Sequence, residues 1–243
     1  MGRMQMSETR QIDEVVADWS ARAVPGDDTL QGQYVRVMPL QTEAHAALLF
    51  RAYEGHDEVW DYLPYGPFHS AAQYHRWMRQ VTSDDSVRFY AFQDIGTGLF
   101  GGVASYLRIK PEAGSIEVGH INLSPQLKQS RAATEAFYLM MRWAFETGYR
   151  RFEWKCNAQN LASRRAGQRL GLSYEGVFRQ AGVVKGRNRD TAWFAAIDKE
   201  WPALKTAFDV WLNPANFDAA GRQRESLSDL TRLVRYQDDP LLR

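Results

Sequence analysis

Lys128-Gln129-Ser130-Arg131-Ala132-Ala133-Thr134-Glu135-Ala136 joins a strand-like run over residues 116–123 to a long helical pattern. A helix that starts here leaves its first backbone N–H groups without intrahelical partners, pointing back into the loop. That end also carries the positive pole of the helix dipole, which suits a pyrophosphate. Small side chains at Ser130, Ala132 and Ala133 let a ligand approach the backbone. On this segment alone, an ordinary strand followed by an alanine-rich helix explains the pattern as well.

The neighbouring segments extend the reading in both directions. The helix over residues 129–147 places Ala133, Phe137, Met140, Met141 and Ala144 on one face and stops at Gly148. Residues 151–156 alternate as a strand, and residues 163–170 form a short helix stopped by Gly171. Strands over 174–184 and 191–198 follow, joined by Lys185-Gly186-Arg187-Asn188-Arg189-Asp190. A helix over 201–211 tolerates Pro202 in its first turn, and Leu227, Leu230 and Leu233 are spaced for another.

Upstream, strands are expected over 34–38, 89–93 and 99–109, the last two joined by a Gly96-Thr97-Gly98 turn. Helices are expected over 42–55, with Thr42 as N-cap, and over 70–83. Between them, residues 56–69 form an aromatic-rich, irregular connection. Ile12, Val15, Val16 and Trp19 have helical spacing, so residues 11–22 read as an amphipathic helix ahead of a Pro25-Gly26-Asp27-Asp28 linker. The division is an arm over 1–29, a central domain over 30–200 and a helical extension over 201–243. Four strands, a long helix and a βαββ tail make an α/β (α+β) fold, a mixed sheet flanked by helices.

Bulk properties narrow the function. The chain has 243 residues, 44% of them hydrophobic and 13% aromatic, enough for a substantial core. A net charge of +1 gives no support for nucleic acid or an anionic membrane as an obligatory partner. One cysteine excludes an intrachain disulfide and fits a reducing compartment. No apolar run is long enough to span a bilayer, and residues 1–10 lack a signal-peptide core. A cytoplasmic location is expected.

The loop at Lys128 resembles the acetyl-coenzyme A loop of the GNAT superfamily. In that register Lys128 is the first position, Arg131 replaces the first glycine, and Ala133 is the second small residue. Asn160-Leu161-Ala162-Ser163 and Leu170-Gly171-Leu172-Ser173-Tyr174-Glu175-Gly176 resemble later motifs of its RimJ/RimL-like branch, the ribosomal-protein N-terminal acetyltransferases. Residues 30–40 resemble that branch's opening strand. The resemblance covers residues 30–198 and implies a mainly antiparallel sheet, splayed to admit coenzyme A. It implies direct acetyl transfer from acetyl-CoA to a primary amine, a peptide N-terminus or a small amine, without a metal. A coenzyme-binding module without turnover is the rival, kept open by Arg131 and by His120 in place of a tyrosine.

Residue roles follow from the same resemblance. Ile121 and Leu123 on the strand, and Lys128, Gln129, Ser130, Arg131, Ala132, Ala133 and Thr134 in the loop, hold the coenzyme. Asn160 holds the pantetheine arm, and Ser163 lies near the sulfur as proton donor. From the residues alone, either Asn160 or Ser163 also serves as a plain helix cap. Glu117 and His120 are the candidate bases; an imidazole near pKa ~6.5 suits neutral pH, whereas Glu117 would need a raised pKa or a water relay. Their alternatives are a solvated carboxylate and a structural histidine. Cys156 reads as a small buried hydrophobe. Trp60, Tyr62, Tyr65 and Phe68 are assigned to the acceptor wall, with some of the cluster in the core. Asp57, Glu58, Asp61, Arg187 and Arg189 read as solvated charge. The acidic residue that some ribosomal-protein enzymes carry after a Gln-Ala pair is Gly182 here, after Gln180-Ala181. The N-terminal arm and the C-terminal extension could narrow the pocket within one chain or across a homodimer.

Overall fold

A computed structural model describes residues 13–242. Its eight strands form one sheet in the order β1-β2-β3-β4-β5-β6-β8-β7. They are β1 (Leu30–Gln31), β2 (Val35–Pro39), β3 (Arg88–Asp94), β4 (Phe100–Lys110), β5 (Ser115–Leu123), β6 (Arg151–Asn157), β7 (Ser173–Val184) and β8 (Arg187–Ile197). All pairs are antiparallel except β5 with β6. That parallel pairing runs only from Ser115–Arg151 to Val118–Trp154. Beyond it β5 stays on β4 and β6 stays on β8, so the sheet opens into a split.

The helices are α1 (Thr42–Tyr53), α2 (Ala71–Thr82), α3 (Arg131–Glu146), α4 (Leu161–Arg169), α5 (Trp201–Leu212) and α6 (Leu227–Arg232). Two cores lie against the sheet. One gathers Ile116, Val118, Phe152, Trp154 and Phe194 with Phe137, Met140 and Met141 of α3 and Trp201, Leu204 and Phe208 of α5. Met140 is completely buried, and truncating such a residue to alanine costs about 2–5 kcal/mol. The other packs Leu49, Tyr53, Trp60, Tyr74 and Met78 against Phe89, Ala91 and Val103. The strands carry this arrangement by alternation: Phe152, Trp154 and Cys156 are buried, while the residues between them are half-buried.

Glu135 shows how α3 is tied to the sheet. Its buried carboxylate accepts from the backbone N–H groups of Gln33, Tyr34 and Val35, at 2.8, 2.6 and 3.0 Å. Gly32 is required beside it, because a Cβ there would collide with that carboxylate.

Four details differ from the sequence expectations, the first being that β8 begins at Arg187, within the residues expected to form the turn, because the hairpin pairing continues through Val184–Arg187. Residues 11 and 12 of the expected N-terminal helix lie outside the described residues, and residues 13–22 are not helical. Trp19 Nε1 instead donates to the Glu112 carbonyl at 2.7 Å, and Arg22 N–H to Pro111. The arm is therefore an extended strap on the β4–β5 turn, because those long-range bonds outweigh helical spacing. Gln41, not Thr42, is the N-cap of α1; the imidazole of His45 accepts its N–H at 3.0 Å. The two-residue strand β1 adds one strand before α3. No helix of the described residues is long and apolar enough to cross a membrane.

The C-terminal segment is clasped to α4. Arg164 and Asp239 form a two-pronged ion pair at 2.6 Å per contact, with side chains 4% and 0% exposed. Tyr236 N–H donates to Ser173 Oγ, and Tyr174 N–H to the Gln237 carbonyl.

Candidate active site

The start of α3 sits beside the split. Ser130 is the N-cap, and its hydroxyl accepts from Ala133 N–H at 2.9 Å. Among the described residues, the N–H groups of Gln129, Arg131 and Ala132 have no acceptor. Gln129 adopts a φ of 60°, which turns the chain sharply into the helix. Ala132 and Ala133 are buried, and their methyl groups pack into the main core behind the loop. Three free donors at the positive end of a helix fit a pyrophosphate. The Arg131 guanidinium turns away from them. It lies 5.0 Å from the Tyr34 ring and 4.5 Å from the Phe217 ring, so it docks the C-terminal segment. Lys128 and Gln129 are exposed on the loop.

On β5, Ser124 N–H donates to β4 at Gly101, so alternation directs the backbone groups of Leu123 and Ile121 into the split. Asn122 is buried, and its Nδ2 has no acceptor among the described residues. Its carbonyl accepts from the Tyr53 hydroxyl at 3.1 Å.

Two bulges shape the floor. One extra residue in β4 puts Arg108 at φ 45°, and one in β5 puts His120 at φ 52°. Non-glycine residues in this region are strained and cluster at functional sites. The first bulge aims Arg108 at Glu117, with Nη1 at 2.9 and 2.8 Å from the two carboxylate oxygens. Lys155 Nζ lies 2.7 Å from Glu117 Oε2 and 3.1 Å from Glu153 Oε2. The same ammonium sits 3.6 Å from the centre of the Trp193 ring. Glu117 is therefore neither solvated nor free: its side chain is 4% exposed and both oxygens are engaged.

The second bulge aims His120 at the aromatic connection. Its Nδ1 is 3.1 Å from the Tyr65 hydroxyl, and the two rings stack at 5.7 Å. Burial, with the positive charges of Arg108 and Arg189, lowers the imidazole to about 4. It is uncharged at neutral pH.

The other side of the split is β6 and α4. Asn160 Oδ1 accepts from Ser163 N–H at 3.0 Å, so Asn160 is the cap of α4. Ser163 Oγ accepts from Trp154 Nε1 at 3.0 Å and also neighbours Cys156. Burial pushes the Cys156 thiol up to about 11, so it is not an activated nucleophile.

The aromatic connection bridges the two sides. Tyr65 reaches His120, Tyr62 donates to the Gln159 carbonyl at 3.3 Å, and Lys185 of the β7–β8 turn donates to the Trp60 carbonyl at 2.9 Å. Trp60 is itself buried among Tyr53, Tyr65, Phe68 and Tyr74. Asp57, Glu58 and Asp61 are exposed, as a solvated acidic loop would be. Sequence reasoning missed Arg108 and Lys155. Lys155 has a signal, a cation within the alternation of β6; Arg108 has none, because its direction depends on the bulge.

These features coincide with a known class of transferase. Residues 35–173 match the family model "Acetyltransferase (GNAT) domain". A GCN5-related N-acetyltransferase from Brucella melitensis is 40% identical, with a TM-score of 0.87 over 89% of this chain and 100% of its own. A protein from Chromobacterium violaceum described as a probable GNAT acetyltransferase is 38% identical, with a TM-score of 0.76 over 80% of this chain and 98% of its own. The Salmonella typhimurium acetyltransferase that modifies the N-terminal serine of ribosomal protein L7/L12 is 18% identical, with a TM-score of 0.60 over 70% of this chain and 99% of its own. At that identity it shares the fold alone. None of the curated proteins matches the sequence. The chain belongs to the GNAT acetyltransferases and is an N-acetyltransferase, in a family that takes its acetyl group from acetyl-CoA.

Proposed function

We propose that the chain transfers acetyl directly to an α-amino group, in a ternary complex, with a peptide or protein N-terminus as acceptor. The observation that carries this reading is the state of the two candidate bases on β5. His120 is held near 4, and both oxygens of Glu117 are engaged by Arg108 and Lys155. Such a site favours an amine that is already partly neutral at pH 7. An α-amino group, with a pKa near ~7.7–8.0, is far better suited than a lysine side chain at ~10.4. The RimJ/RimL-like motif over residues 160–176 points the same way.

Acetyl-CoA supplies the thioester; the amine forms the new C–N bond as the C–S bond breaks. The free N–H groups of Gln129, Arg131 and Ala132 hold the pyrophosphate, and Ile121, Leu123 and Asn160 hold the pantetheine arm. Neutral His120 accepts the proton that the amine loses once attack has made it acidic, while Glu117, held by Arg108 and Lys155, fixes the strand that carries His120. Ser163, whose oxygen accepts from Trp154, donates its proton to the departing sulfur and is reprotonated from solvent, while His120 returns the amine's proton to solvent. Tyr62 and Tyr65 wall the acceptor, with Trp60 and Phe68 behind them.

Thiol release measured over an amine panel tests the reading. Peptides with free N-termini should react, and the same peptides with blocked N-termini should not. Equal rates for the two, or activity confined to small amines, would reject the peptide acceptor and leave the family assignment standing.

A further inference from the structure

We propose that Arg189, together with the indole N–H of Trp193, binds an anionic group on the acceptor. The preferred acceptor is then an α-amine that carries a nearby carboxylate. This inference rests on the acetyl transfer proposed above and specifies its substrate.

Strand β8 is regular against β6, from Asn157–Thr191 to Arg151–Ile197. Alternation therefore puts Arg189, Thr191 and Trp193 on one face. Trp193 pairs with Lys155, whose ammonium covers its ring, so this is the face that also carries Glu117. Arg189 lies just past the end of β6, where Ala158 N–H donates to the Asp190 carbonyl. Its charge reaches both His120 and Cys156, on the two sides of the split.

Two donors on this face lack acceptors. Arg189 Nε and Trp193 Nε1 are both buried, and neither has a partner among the described residues. Leaving such groups unpaired is costly, and more so for a charged one. The nearby carboxylates are committed elsewhere. Asp190 turns to Gln180 N–H at 2.7 Å and to Asn188 Nδ2 at 3.0 Å. Glu117 is held by Arg108 and Lys155, and Glu153 by Lys155 and Arg151. Gly182 pairs with Arg189 across the hairpin, and the space where its side chain would sit is open. Arg189 Nε–H and the Trp193 indole N–H, about 13 Å apart at their Cα atoms along one strand face, are both without acceptors, and the guanidinium offers an anion a charge-assisted bond.

Paired acceptors test it through steady-state thiol release. One pair is a free amino acid and its amide, with rates compared per neutral amine because the carboxylate makes the amino acid's amine the more basic; the other is a tripeptide with Asp or Asn at its second position. The wild-type kcat/KM ratio, acidic over neutral, should be about 10- to 100-fold, carried by KM, as expected for a charge-assisted bond. The pair that shows the ratio identifies whether the anion belongs to a small amino acid or a peptide. Arg189→Gln should bring the ratio close to one, Arg189→Lys should keep part of it, and Trp193→Phe should lower it a few-fold. A wild-type ratio at or below one overturns the inference, as does a ratio unchanged in Arg189→Gln. So does an equal loss of kcat with both members of a pair, which would assign Arg189 to the thioester carbonyl. Thiol release with no acceptor at all would reject the transfer reading itself, a result distinct from a ratio of one.

Discussion

Breaking the Arg164–Asp239 pair should destabilise the whole protein and loosen the coenzyme side of the split. Asp239 is completely buried, and Arg164 nearly so. Asp239→Ala would leave a guanidinium inside the protein with one remaining acceptor, the Ala158 carbonyl at 2.9 Å. Removing one partner of a buried pair costs about 3–5 kcal/mol, because the other charge stays desolvated. For a chain of this length that lowers Tm by roughly 6–20 °C. Calorimetry and urea unfolding measure both quantities. The double variant Arg164→Met/Asp239→Leu should recover most of the loss, since paired apolar replacements are often neutral. A loss below about 1 kcal/mol for Asp239→Ala would refute the reasoning, placing the pair with exposed ones.

The same pair sets an acid limit. Burial acts to raise the Asp239 carboxyl, but the hydrogen bonds and charge of Arg164 prevail and hold it below its usual range. A depressed carboxyl gives stability that is full above the unfolded pKa and is lost as pH falls through the folded one. Because Arg164 follows Ser163 on α4, coenzyme affinity should fall along with stability in Asp239→Ala.

Three further outcomes are expected. His120 contributes stability on the order of 3 kcal/mol that is full above pH ~6.5 and lost as pH falls toward ~4, because only the unfolded chain binds the proton there; superimposable pH–stability curves for wild type and His120→Gln would remove that assignment. Ala133→Leu should weaken coenzyme A binding by about 10-fold or more in calorimetry, through bulk at the start of α3; unchanged affinity in a folded variant would displace the proposed site. Glu117→Gln should lower single-turnover rates while coenzyme A affinity stays within about two-fold, and unaltered turnover would leave Glu117 with a structural role only.

Where the sequence and the structure agree, local signals were strong. The core stripe of α3, bounded by Ser130 and Gly148, and the strict alternation of β6 both specify element and face before any tertiary contact is considered. The N-terminal arm shows the opposite case. Ile12, Val15, Val16 and Trp19 have helical spacing, but over the described residues the Trp19 and Arg22 bonds to the β4–β5 turn prevail. Asn160 was legible as a cap because capping chemistry is local, whereas the Ser163 hydroxyl is not a cap but accepts from Trp154, nine residues away. Arg108 and Arg189 were not: a bulge aims one, and strand register carries the other from an apparently solvated turn to the split. Arg131, legible as a departure from the glycine pattern, acquires its meaning only from Tyr34 and Phe217, 97 and 86 positions away in the sequence.

The apex of the split connects this architecture to the chemistry. Glu117 and Glu153 stand directly opposite each other where β5 and β6 still pair. Two carboxylates so placed would repel across the strands. Lys155 lies within reach of both, and Arg108 and Arg151 each take one from the flank. The ion cluster thus closes the apex, while the bulge at His120 keeps β5 on β4 as β6 departs. That arrangement fixes the width of the opening just below the thioester position proposed here. It also ties up the Glu117 carboxylate through Arg108 and Lys155. A rigid apex and a weakly basic floor are therefore two results of the same contacts, and both favour an acceptor that arrives with its amine already able to attack.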